Sequence, residues 1–140
     1  MKRVNGWENI LSDQIRAAQA KTFKWGTFDC SLWTCDVVFA LTGVDLAADF
    51  RGKYSTSRAA KEVIKQFAGA DLEALAVKRG AEFGMEEIDP QLASRGDVVL
   101  VRSGRKGLGI VALDGMCAHC ASFRGLARVP RSMWLRAWRV

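Results

Sequence analysis

A chain of 140 residues with 49% hydrophobic and 26% charged side chains has material for one buried core, which excludes the disordered and fibrous classes. No apolar run approaches the roughly 20 residues of a membrane span, and the opening MKRVNGWENI leads into polar residues, so no signal peptide is expected. The net charge of +6 is uneven: residues 1–94 hold 12 Lys/Arg against 13 Asp/Glu, whereas residues 95–140 hold 9 against only Asp97 and Asp114.

The elements read as one domain over residues 1–140, without repeats or linkers. From Trp7 to about Ala20, apolar residues at Trp7, Ile10, Leu11, Ile15 and Ala18 keep helical spacing with one buried stripe. Gly26 breaks the chain before Phe28-Asp29-Cys30. Ser31 to Leu41 is apolar nearly all round, which predicts a helix in the middle of a core, with Asp29 as its cap and Gly43 as its stop. Ser57 can cap a third helix that turns Ala60, Val63, Ile64 and Phe67 inward. Asp71 can cap a short fourth one ending at Gly80. After Pro90 the period changes. Val98–Val101, Leu108–Leu113 and Met116–Phe123 are β-type runs between glycines, and Trp134–Val140 alternates as a closing strand. Helices followed by strands predict an α+β fold, with N-terminal helices packed on a C-terminal antiparallel sheet.

Cys30 is the candidate chemical residue. Unpaired N–H groups at a helix start favour an anion, so a thiol placed there is expected to ionise below its free pKa of about 8.5. The competing reading is a small buried apolar side chain, the commonest fate of a free cysteine. Trp7, Trp25 and Trp33 lie on segments that read as buried. Trp134 and Trp138 either pack on the sheet or face a partner.

Phe28-Asp29-Cys30-Ser31, opening an apolar helix, resembles the nucleophile segment of the NlpC-type peptidoglycan peptidases, a papain-like superfamily. Arg95-Gly96-Asp97-Val98-Val99-Leu100 resembles the turn into that family's first sheet strand. Leu108-Gly109-Ile110-Val111 and Ala118-His119 resemble the next two strands. The resemblance implies a papain-like fold with Cys30 at the nucleophile position. In active members a histidine begins the second strand and serves as base; here that position is Gly107. A polar residue about a dozen positions later orients the base, and His119 matches it. His119 is the only histidine in the chain, and so the only imidazole that could act as base instead.

A narrower likeness spans nearly the whole chain. Trp25-Gly26-x-Phe28-Asp29-Cys30, Asp36-Val37-Val38, Thr42-Gly43-Val44-Asp45, Arg51-Gly52-Lys53-Tyr54, Gly125-Leu126 and Ala137-Trp138-Arg139-Val140 resemble NlpC-like phage tail proteins, whose members commonly lack the second-strand histidine. This implies a structural protein of the virion tail tip, made in the host cytoplasm and packed against hub and distal tail proteins. The alternative is an active peptidoglycan endopeptidase or amidase, with peptidoglycan as its partner.

A third reading is a metal-binding module. Cys117-Ala118-His119-Cys120 has the CxxC spacing of zinc and some iron–sulfur sites, and Cys30 and Cys35 add two thiols. A strand at Met116–Phe123 would split Cys117 and Cys120 between faces, so the expectation is no cofactor. Arg102, Arg105, Arg124, Arg128, Arg131, Arg136 and Arg139 are spread over several elements with no nucleic-acid motif. They read as solvated surface or a patch for an acidic neighbour, and nucleic acid ranks last among partners.

Overall fold

Four helices form from the N-terminal spacing in the computed structural model, which describes residues 1–140. Helix α1 (Trp7–Ala18) buries Leu11, Ile15 and Ala18 along one stripe. Helix α2 (Leu32–Thr42) is the centre of the molecule, with Leu32, Trp33, Val37, Val38 and Leu41 buried around it. It stops at Gly43, whose φ of 78° is open to glycine at little cost. Helix α3 (Ser57–Ala68) is capped by Thr56, whose hydroxyl accepts the Ala59 N–H; Ser57 is already inside the helix and cannot do so. Helix α4 (Leu72–Glu82) is capped by Asp71, which accepts the Ala74 N–H. It runs past Gly80, the predicted stop. A Cβ on Gly80 would lie 2.8 Å from the Trp138 indole, so this glycine lets the closing strand pack against the helix.

Six strands follow: β1 (Glu87–Ile88), β2 (Val98–Ser103), β3 (Arg105–Val111), β4 (Cys117–Ser122), β5 (Gly125–Pro130) and β6 (Trp134–Trp138). They make one antiparallel sheet in the order β1-β6-β2-β3-β4-β5. The molecule is therefore α+β, four helices and then a six-stranded antiparallel sheet. β1 and β5 went unpredicted, one being two residues long and the other lacking clean alternation. No helix is long and apolar enough to cross a membrane.

Both sheet faces are apolar. Val98, Leu100, Leu108, Ile110 and Trp138 join the helices in the main core. Val99, Val101, Val111, Ala118, Cys120, Val129, Trp134 and Ala137 make a smaller one on the other face. Trp134 and Trp138 are thus packed on the sheet, whereas Trp7 and Trp25 are only half-buried.

One buried carboxylate fastens the rim of this arrangement. Asp97, fully buried, accepts from the Arg3 guanidinium (2.9 Å), the Val140 N–H (3.1 Å) and the Ser94 N–H (2.9 Å). Arg3 also donates to the carbonyls of Val140 and Arg95. Asp97→Ala would leave the Arg3 charge without its counter-ion and two N–H groups without their acceptor, and is expected to lower the unfolding free energy by about 3–5 kcal/mol in urea titration. Asp97→Asn, which keeps an acceptor oxygen, should cost less.

Candidate functional site

The site is built around Asp29. Its Oδ1 accepts the N–H groups of Ser31 (3.0 Å) and Leu32 (2.9 Å) and the Ser31 hydroxyl (3.2 Å). Its Oδ2 accepts the Gly26 N–H (2.9 Å) and the Tyr54 O–H (2.8 Å). Asp29 therefore caps α2, as expected, although Ser31 is the residue flanking the helix. Gly26 has φ 88°, and a Cβ there would collide with the Tyr54 carbonyl, so the turn needs glycine.

Cys30 lies in this turn, two residues before α2, and is half-buried. Its carbonyl accepts the Leu108 N–H at 2.8 Å, which stitches the turn to β3. Gly107 is the adjacent residue: a Cβ on it would stand 3.6 Å from the Cys30 Cβ, an ordinary contact. The two positions singled out in the sequence thus face each other. Beside them opens a groove of about 400 Å³, lined by Cys30, Gly107, Val101, Cys120, Phe123 and Arg105 among others.

Burial, and then the neighbouring charge of Asp29, push the Cys30 thiol up to about 11; Arg105 and a backbone hydrogen bond act in the opposite direction. The sequence led us to expect a lowered value. The difference arises first because the thiol is buried, and second because the Asp29 carboxylate accepts the Ser31 and Leu32 N–H groups at the start of α2. The positive end of α2 is engaged by a carboxylate, and the thiol is left beside that negative charge.

His119 is elsewhere. It pairs across β4–β3 with Ile110, and so shares the face of Ile110. Gly107, three positions away from Ile110, shows the opposite face. The same alternation brings Cys120 into the groove, over Gly109, where any Cβ would collide with the Cys120 sulfur. His119 lines a separate cavity of about 250 Å³ with Ser12, Ile15, Asp114 and Arg128. Its Nδ1 has no hydrogen-bond partner. Burial lowers its pKa, Arg128 lowers it further, and Asp114 partly compensates.

Cys35 and Cys117 stay outside the groove that Cys30 and Cys120 line. Cys35 is buried inside α2 and pushed up to about 12 by desolvation, and Cys117 is buried near the start of β4. No three His, Cys, Asp or Glu side chains are arranged to hold a metal ion. Sequence reasoning missed Tyr54, Cys120 and Arg105 as neighbours of Cys30. The alternation Gly107-x-Gly109 was the available signal, since two glycines on one strand face leave room for side chains from other elements.

Fold and site together define an α+β domain that holds a protonated, half-buried thiol between a capping carboxylate and a glycine strand. The chain belongs to the family DUF6950, a domain of unknown function, whose model matches residues 2–140. No curated protein matches it.

The raised thiol pKa sets its reactivity. Alkylation of Cys30 by iodoacetamide, followed by mass spectrometry, should be slow at neutral pH and climb about tenfold per pH unit until near 11. A plateau near pH 7 would contradict this environment. For His119 the sign is the reverse. Its folded pKa lies below the unfolded value, so the unfolded chain takes up a proton first as pH falls. Stability should decline as pH drops through the ordinary imidazole range, and the urea midpoint of His119→Gln should decline less over the same range.

Proposed function

We propose that this protein is a structural component of a phage tail tip, built on a degenerate NlpC-like cysteine-peptidase scaffold and packed against hub and distal tail proteins. In this reading the peptidase chemistry is lost and the shape is kept. The observation that carries it is Gly107 standing against Cys30, at the position where the resembling peptidases place their base. A cysteine nucleophile needs an imidazole within about 2.6–3.2 Å. The chain's only histidine lies on the other sheet face, and the thiol is held protonated. General-base assistance worth about 10²–10⁴-fold is therefore missing. The Arg95-Gly96-Asp97 turn with its buried carboxylate, the Asp29 cap and the Trp138 closing strand give the resembling motifs a structural reason to persist without catalysis.

The open groove beside Cys30 favours a second reading, an active peptidoglycan endopeptidase or amidase that helps breach the cell wall. Two experiments separate the readings. Particles carrying Cys30→Ala should assemble and infect as wild type does; intact particles that fail to infect would overturn the structural reading. Purified wild-type protein should release no peptides from peptidoglycan fragments, and release abolished by Cys30→Ser would establish the enzyme instead. Gly107 has an ordinary backbone conformation and space at Cβ, so Gly107→His can be accommodated. The imidazole should draw the Cys30 thiol pKa down, read as faster alkylation at neutral pH.

A further inference from the structure

We propose that the groove beside Cys30 and the free edge of β5 together take an extended acidic–apolar segment of a partner protein, which adds to the sheet as a short seventh strand. The inference rests on the tail-protein reading only in taking the partner to be a protein; the groove chemistry stands on its own.

Charge is the first argument. Every charged residue lining the groove is cationic: Arg105, Lys106 and Arg124. Lys106 is already neutralised by Asp71 (3.2 Å) and Glu73 (3.0 Å). Arg105 and Arg124 form no ion pair, and both are exposed. Arg105 is held in place all the same, its guanidinium 5.5 Å from the Trp25 ring centre and 5.0 Å from that of Phe123. Phe123 is 62% exposed, yet it packs edge-on against Phe23 and Trp25. A rigid apolar wall therefore presents a guanidinium without a counter-charge. That suits a carboxylate flanked by an apolar side chain.

The strand edge is the second argument, and it selects a polypeptide. β5 is last in the sheet and pairs with β4 alone. Natural edges are blunted by lysine, proline or a bulge. Here Pro130 guards one end only. Backbone groups on an antiparallel strand alternate between the partner and the free edge, and with Ser122 and Gly125 closing the β4–β5 hairpin the outward-facing groups are those of Leu126 and Arg128. Leu126 and Ala127 also line the groove, so a chain paired there would send alternate side chains into it.

The test uses full-length protein and a fluorescein-labelled hexapeptide of alternating Glu and Val, followed by anisotropy. The Glu–Val peptide should bind, added salt should weaken it, and Arg105→Glu with Arg124→Glu should weaken it by about tenfold or more. Circular dichroism of that variant establishes that it remains folded. Backbone N-methylation of the peptide should abolish binding, because strand pairing needs its N–H groups. No binding, equal binding of a Lys–Val peptide, equal binding of oligoglutamate, indifference to the double substitution or indifference to N-methylation would each overturn the proposal. Peptide release from peptidoglycan would overturn the tail-scaffold reading and leave these binding results unaffected.

Discussion

The Asp29 carboxylate is the constraint on which the site depends. Five donors converge on its two oxygens, from the Gly26 turn, the start of α2 and the hydroxyl of Tyr54. It is nearly inaccessible to water, so each bond replaces hydration that the carboxylate has lost. The bonds fix the backbone on both sides of Cys30 and direct the Cys30 carbonyl at β3. The thiol's position follows from that anchoring; its protonation follows first from burial and second from the negative charge of the anchoring group. One residue presents the cysteine, and its charge adds to the burial that keeps the thiol protonated.

Whether such a thiol becomes a nucleophile then depends on the parity of a strand. Side chains on β3 and β4 alternate between the helix-side core and the groove. Gly107, Gly109 and Cys120 show one face and His119 the other. A histidine one position along β4 would have reached the groove. At 119 it lies under α1, its charge disfavoured by burial. The groove face is lined with small groups instead, and this leaves open the space beside the thiol.

Much of the fold was legible because its signals are local. The stripe of Leu11, Ile15 and Ala18, the all-apolar α2, the Asp71 cap and the runs at Val98 and Leu108 each announce their element within a few residues. What stayed hidden depends on contacts far apart in sequence. Gly80 looked like a helix stop, and only Trp138 reveals it as a packing site. β5 carries Gly, Arg and Pro in six residues and becomes a strand through its pairing with β4. The cap at Asp29 could be read from the chain, but its effect on Cys30 could not. The residue type suggested a helix end acting on a thiol, whereas the folded chain has a carboxylate placed between them.

The strand order also carries a kinetic consequence. β2 to β5 are joined by tight hairpins, each strand beside its sequence neighbour, so this meander involves little loop closure. β6 instead returns to lie between β1 and β2, and β1 has no other partner. Its docking closes the longest loops in the sheet and seats the Trp138 indole on Gly80. Assembly of the β2–β5 half can therefore run ahead, while completion of the opposite edge waits for a single late insertion.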